Sequence, residues 1–300
     1  MAVNLRPVGQ TLAQLSRPDA LRAIGGRGLT WLGWAVMAFY CATSVVSLVW
    51  LIYGALKGHQ EWLVSGLALP KRIAWENFEV LWQVVRIDTF AFNSFYITAI
   101  SVAGTVFLSA MAAYVIARIE FWGGLGNKIV LFYAISSMMV PFFLYLVPLY
   151  FLMRDFGLVN SHVGLILLYT HAGMAFDIFV LTGFFKTLPS ELEEAATIDG
   201  ASPMAIYWKI MLPLAQPGLI TVAIFNTIWY WNEFFVALVF LRERELHTIP
   251  IGMWSLLGGW VFDYGVLFAG TAAMILPMLI IFAIFQSRIT EGLTVGALKG

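Results

Sequence analysis

Residues 89–117 read TFAFNSFYITAISVAGTVFLSAMAAYVIA, twenty-nine residues without one Asp, Glu, Lys or Arg. A bilayer core needs about 20 mostly apolar residues per helix. This run meets that length and lacks the short alternating pattern of a membrane barrel strand. It reads as a membrane-crossing helix. Extending the same test along the chain gives six spans, at roughly 30–56, 89–117, 128–153, 162–185, 214–241 and 264–286. Pro141 and Pro148 fall inside the third, which is tolerable where neighbouring helices re-satisfy the freed backbone groups. The expected fold class is all-α, a polytopic membrane protein. A segment 1–29 precedes the membrane domain of 30–286, and a tail 287–300 follows it.

Composition agrees with that reading. Of 300 residues, 61% are hydrophobic and 11% charged, against about a quarter charged in a soluble globular protein. Too little polar surface is left to coat a water-facing ball. Net charge is zero, which gives no reason to expect a nucleic-acid partner. The single cysteine, Cys41, excludes a disulfide framework or a cysteine-rich metal site within the chain. The apolar stretch after Arg6, Arg17, Arg22 and Arg27 is too long for a secretory signal and is read as a retained first span.

Orientation follows from Lys and Arg. With the N-terminus inside, ten of the 17 basic residues fall in cytoplasmic segments and seven outside, and four of the ten cluster before the first span. Both termini are expected in the cytoplasm.

Between the fourth and fifth spans lies LPSELEEAATIDGASPMAIYWKIMLP, residues 188–213. Ser190 and Glu193 have the spacing of a capping box, so a helix should begin near Glu191. Acids at 191, 193 and 194 suit the positive end of its dipole. Gly200 stands where a helix end needs a left-handed residue, and Ser202-Pro203 restarts a second helix as N-cap and N1. The plain reading is a well-capped connector. Connectors, however, have a median of about 4–6 residues, and a helix–glycine–helix unit of this length looks like a docking surface.

Glu194-Ala195-Ala196, Gly200, Ile210 and Leu212-Pro213 reproduce the spacing E-A-A-x3-G-x9-I-x-L-P. On these residues the chain resembles importer permeases of the ATP-binding-cassette class, and the stretch resembles their EAA loop. The likeness runs over roughly 90–300. It includes Asn93-Ser94, Ala112-Ala113-Tyr114, Gly157-Leu158-Val159-Asn160 and Trp231-Asn232-Glu233-Phe234, and a tail GLTVGALKG (292–300) similar to that of the smaller permease of maltose-type importers. Residues 1–30 and 57–88 carry no motif that can be placed.

The resemblance implies a subunit of the bacterial inner membrane that moves a mono- or oligosaccharide by alternating access. Glycerol phosphates and acidic oligosaccharides are alternative cargoes, and an ion-coupled secondary transporter is the rival from another class. The implied partners are a second, larger permease, two copies of a cytoplasmic ATPase, an extracytoplasmic solute-binding protein and the lipid bilayer. Coupling to the ATPase falls by resemblance on Glu194, Ala195, Ala196, Asp199, Gly200 and Ala201, and on Met204, Leu212 and Pro213. Glu194 would pair with a basic residue of the ATPase. In the tail, Gly296, Lys299 and Gly300 would reach the ATPase, unless that end is merely frayed. No G-x-x-x-x-G-K-[ST] loop occurs. The chain is therefore expected to hold no cofactor and no catalytic residue, with ATP and Mg bound by partner subunits.

Charged groups inside spans are costly and face a bundle interior or a water-filled cavity. Asp177 and Glu233 are such acids, with His171 near the first. Asn226, Trp229, Asn232 and Glu233 are read as candidates for the substrate path, since aromatic faces stack on sugar rings and carboxylates or amides bind hydroxyls. The plainer reading is hydrogen bonding between helices. His171 and Asp177 are six apart, do not share a helix face closely, and make no metal cluster. Outside, RERELHTIPIGMWSLLGGWVFD (242–263) is either a charged cluster followed by a surface helix or, by resemblance, a loop that meets the binding protein through His247, Pro250 and Trp254. No internal repeat of a secondary transporter and no filter-like loop of a channel is found.

Overall fold

The structure, a computed structural model, describes the backbone of residues 18–257 and 263–297 and the side chains of 30–256 and 263–286. The described backbone is helical throughout its ordered elements. In chain order these are α1 (Pro18–Ala55), α2 (His59–Val64), α3 (Glu76–Gln83), α4 (Ile87–Arg118), α5 (Leu125–Ser136), α6 (Phe142–Asp155), α7 (His162–Thr187), α8 (Glu191–Ile198), α9 (Pro203–Ile206), α10 (Leu212–Leu214), α11 (Gln216–Asn232), α12 (Phe235–Phe240), α13 (Ile249–Leu257) and α14 (Tyr264–Ala297). A π-helical turn, Tyr207–Met211, joins α9 to α10.

Four unbroken helical segments are long and apolar enough to cross a membrane: Thr30–Ala55, Ile87–Arg118, His162–Thr187 and Tyr264–Gln286. The third expected span is not one helix. It turns by 96° between Leu125–Met139 and Phe142–Asp155. The cause is local: Val140 is extended (φ −86°, ψ 112°), because the ring of Pro141 clashes with a helical residue before it. Pro148, by contrast, lies inside α6. The fifth expected span also stops short. Helix α11 ends at Asn232, Glu233 is extended at φ −67° and ψ 125°, and α12 restarts the chain.

Helices α4 and α7 make the most extensive packing in the bundle. Their seam is small and polar. Ser94, Thr98, Ser101, Thr105 and Ser109 recur along one face of α4, all buried, and a Cβ on Gly104 would sit 3.2 Å from Thr170 Oγ1. Without water to drive association, helices in lipid hold together by close packing and interhelical hydrogen bonds, which small residues permit. Apolar clusters flank this seam. One gathers Val85, Phe90, Trp231, Ile249 and Val266; the other gathers Ala113, Leu181, Phe185, Ala196, Ile206 and Met211.

The segment 57–88, without a motif in sequence, is fixed by Lys57. Its buried ammonium donates to the carbonyls of Ser65 and, at 2.8 Å, Ala68, and lies 5.1 Å above the Trp62 ring. Asn77 donates back to the carbonyls of Ala55 and Lys57 at 2.8 and 3.0 Å.

Deep in the seam, a Cβ on Gly173 would stand 2.2 Å from the Tyr230 hydroxyl and 2.9 Å from Asn226 Oδ1. Gly173→Val is therefore expected to force α7 and α11 apart at a cost of about 1–3 kcal/mol. A lowered melting temperature of the detergent-solubilised protein checks this, while Gly183→Val, where nothing lies within 4 Å of the added atom, should leave it unchanged.

Candidate coupling surface and translocation face

Helix α8 starts at Glu191 as its acids suggest, but the expected capping box does not form. Ser190 is helical (φ −71°, ψ −26°) and its side chain makes no cap bond. The Glu193 carboxylate is engaged elsewhere. It accepts from Tyr114 Oη at 2.9 Å and pairs with Arg118 at 3.4 Å, and a charge-assisted partner outcompetes a neutral cap. Arg118 also donates to the carbonyls of Phe185 and Leu188 at 2.8 and 2.5 Å. One guanidinium thus ties the end of α4 to the end of α7 and the start of α8. After α8 the chain turns at Gly200, φ +81°, and Ser202 caps α9 by accepting from the Ala205 N–H at 3.3 Å.

The residues singled out in this loop divide into two sets. Ala196 is buried against Ile206 and Met211, with Ala201 and Leu212 packed at the edge of that cluster. Glu194, Ala195, Asp199, Gly200, Met204 and Pro213 are exposed. Beside them stands Ile198, 86% exposed, an apolar side chain at the tip of a polar loop. Its sequence position gave no warning, Arg118 carried no motif, and Tyr114 stood in the Ala112-Ala113-Tyr114 motif with nothing to mark it as a partner of Glu193.

At the other end of α4, Asn93 donates to the carbonyls of Glu245 and His247 at 2.8 and 3.0 Å. Ser94 accepts from the Ile249 N–H at 2.8 Å. Arg118 and Asn93 are about 37 Å apart along a helix that rises 1.5 Å per residue, more than the roughly 30 Å of a hydrocarbon core. The loops held by these two residues therefore sit on opposite ends of the bundle. In the second of them, α13 is tucked into the bundle, with Ile249, Ile251 and Met253 buried. Pro250 is buried too, so it is not placed for contact with a partner, whereas Trp254 is half exposed. His247 is partly covered, and burial lowers its pKa below the usual histidine value, with the Arg244 charge adding to the shift.

The four residues expected on a substrate path do not act alike. Asn226 is buried and donates to Asp177 Oδ2 at 2.7 Å, which holds α11 to α7. Nearby, Thr105 Oγ1 and Tyr230 Oη lie 2.8 Å apart. Asn232 is exposed and folds back on the Ile228 carbonyl at 2.7 Å. Glu233 occupies the break between α11 and α12: it accepts from the Val236 and Ala237 N–H groups at 2.7 and 3.0 Å and from Tyr169 Oη at 2.7 Å. Trp229 and Glu233, with His171 and Tyr145, border a cavity of about 530 Å³ beside the bent third span. Gly296 lies in the last turn of α14, while Lys299 and Gly300 lie outside the described residues. Among the described residues, no three His, Cys, Asp or Glu side chains are grouped to hold a metal ion.

A polytopic helical bundle, with an exposed helix pair pinned to one end and a mixed aromatic and polar face within the membrane, defines a transport subunit. The chain belongs to the family of binding-protein-dependent transport system inner membrane components, whose profile matches residues 105–291. It is 32% identical over 267 residues to the permease of a diacetylchitobiose uptake system of Streptomyces coelicolor, covering 88% of this chain and 87% of that one. It is also 32% identical over 280 residues to the permease of a trehalose transport system of Mycobacterium tuberculosis, covering 92% and 100%. Its fold matches a chain of a bacterial ABC transporter that imports the acidic polysaccharide alginate, with a TM-score of 0.76 and 21% identity, over 88% of this chain and 97% of that one.

The Arg118–Glu193 pair is largely buried, at 12% and 18% side-chain exposure, so removing one member leaves the other charge without its counter-charge at a cost of about 3 kcal/mol. Glu193→Leu is expected to destabilise the loop more than Arg118→Met and Glu193→Leu together. Proteolysis of the 188–213 segment in detergent measures this; additive effects would show that the two side chains do not interact.

Proposed function

We propose that this chain is one of two permease subunits of an importer for a carbohydrate, delivered by an extracytoplasmic binding protein and driven by a separate pair of ATPase subunits. The observation that carries the reading is the platform of Glu194, Ile198, Asp199 and Met204, exposed together on helices that Arg118 anchors to α4 and α7. An Ile and a Met that face water at a loop tip are a docking surface in waiting. Glu194 supplies a charge for a basic residue of the ATPase. The positive bias of the Lys and Arg count supports a cytoplasmic position for this platform and both termini. Trp254 then faces the binding protein, and the α14 tail, with Gly296, extends toward the ATPases.

Relatives named for diacetylchitobiose, trehalose and melibiose, raffinose and stachyose uptake support a di- or oligosaccharide cargo. A relative in Agrobacterium fabrum is named for sulfoquinovosyl glycerol, which is anionic. No Lys or Arg lines the cavity at Trp229, and this favours a neutral sugar.

Purification of the tagged chain from its native membrane in mild detergent is expected to recover a second permease and a phosphate-loop ATPase. Reconstituted with its binding protein, the complex should take up at least one of diacetylchitobiose, trehalose, melibiose or raffinose in an ATP-dependent way. Glu194→Lys and Ile198→Asp should each lower uptake tenfold or more, since a charge-assisted contact contributes about 1.5–3 kcal/mol, with membrane insertion unchanged. A chain that purifies alone, or Glu194→Lys with normal ATP-coupled uptake, defeats the reading.

A further inference from the structure

The two interruptions in the spans lie on one cavity. Residues of the Pro141 bend, among them Ser137 and Phe142, form one wall, and Glu233 and Phe235 at the α11–α12 break form another, with His171 of α7 and Trp229 of α11 between them. Irregular backbone at membrane depth is tolerated only where protein buries it or where it lines a water-filled space. The bend is not buried by this chain: Met139 is 77% exposed and Pro141 is exposed as well.

The side chains around the cavity separate those two cases. His171 is exposed within a span and has no hydrogen-bond partner among the described residues. A polar side chain left so in hydrocarbon is costly, and such residues mark water-filled paths. Glu233 is held rigidly by its three donors, yet a carboxylate offers about four acceptor positions. One remains for a ligand hydroxyl. Trp229 is 48% exposed at the cavity, and its indole presents a flat apolar face with one N–H at the edge. The volume of about 530 Å³ lies within the roughly 300–1,000 Å³ of small-ligand sites.

We propose that this cavity is a pyranose-binding subsite contributed by this subunit, with the Trp229 indole stacking on the apolar face of a sugar ring and His171 and Glu233 bonding its hydroxyls. A pyranose matches the site on both counts. Its axial C–H groups form a face for an aromatic ring, and its equatorial hydroxyls meet acceptors and donors at the edge. Glu233 acts as an acceptor already set in place, because the same carboxylate caps α12. This inference rests on the carbohydrate reading above and deepens it by placing sugar contacts on this chain.

The test uses the complete reconstituted importer with whichever sugar of the panel it takes up fastest. Uptake by the unaltered complex comes first: none at all sinks the carbohydrate reading itself. Given normal uptake, Trp229→Ala is expected to raise the KM for transport about tenfold, the order of a lost aromatic face, and Trp229→Phe to restore most of it. His171→Ala should raise KM by a smaller factor, with ATPase activity still stimulated by the loaded binding protein. A second measurement covers a Trp229→Ala chain that fails to assemble. Trp229→Cys, in a Cys41→Ser background, is exposed to a water-soluble methanethiosulfonate reagent with and without saturating sugar. Labelling that the sugar slows several-fold supports the subsite. No labelling would show that lipid or the second permease fills the cavity, and labelling indifferent to sugar would show a wet space without a sugar site. Either of these, or an unchanged KM in Trp229→Ala, overturns the proposal while leaving the importer reading intact.

Discussion

The close approach of α4 and α7 is the constraint on which the remaining structure hangs. Its stripe of Ser and Thr, with Gly104 and Gly173 at the tightest points, lets two long helices meet with little side chain between them. In lipid the gain comes from packing and shared hydrogen bonds rather than from expelled water. The Thr105–Tyr230 and Asp177–Asn226 bonds then bring α11 against the same seam. Because α4 runs from one end of the bundle to the other, whatever is tied to its ends is fixed relative to this seam. Asn93 fixes the 242–257 loop at one end, and Arg118 fixes the 188–213 loop at the other. One rigid rod thus connects two surfaces more than a bilayer core apart.

Against that rigid half stands a half with broken spans. At Pro141 the break is imposed by backbone sterics. At Glu233 it is stabilised by a side chain that supplies acceptors for the freed N–H groups of the next helix. The two breaks answer to the same rule, that a backbone donor in a membrane must find a partner. Glu233 satisfies that rule with a charged group, so an acid that looked like a ligand-binding residue is a helix cap whose remaining capacity faces the cavity. The structural and the ligand-facing readings of Glu233 are therefore two uses of one carboxylate.

Much of this was legible in the chain because it depends on local chemistry. Four of the six apolar runs are single helices long enough to cross, and the other two fall on bent helix pairs; Gly200 sits at positive φ, and Ser202 caps α9. The failures share a cause: a distant partner decided the outcome. Ser190 and Glu193 had the spacing of a capping box, but Arg118, far away in sequence, claimed the carboxylate. Asn226 looked available for a substrate until Asp177 was found beside it. Pro250 is by resemblance a contact for the binding protein, yet α13 folds inward over Phe90, which would meet any Cβ on Gly252 at 2.1 Å. Pro141 was the one miss with a local signal. Apolar length alone does not register the bias a proline puts on its predecessor.

The anchoring of α8 has a consequence for how force can pass through it. Isolated helices shorter than about 12 residues are marginal in water, and α8 spans only Glu191–Ile198. Its own hydrogen bonds do not hold it, and its side-chain cap is unused. What keeps it helical is Ala196 packed against Ile206 and Met211, and Glu193 fixed by Arg118 and Tyr114. The contacts that make α8 a helix are the same contacts that join it to α4 and α7. A lever of this kind cannot be loosened from the bundle and stay a lever: weakening the Arg118 attachment removes the helix along with the linkage. Folding of the loop and transmission through it are one physical property, located in a buried charge pair rather than in the exposed residues that meet a partner.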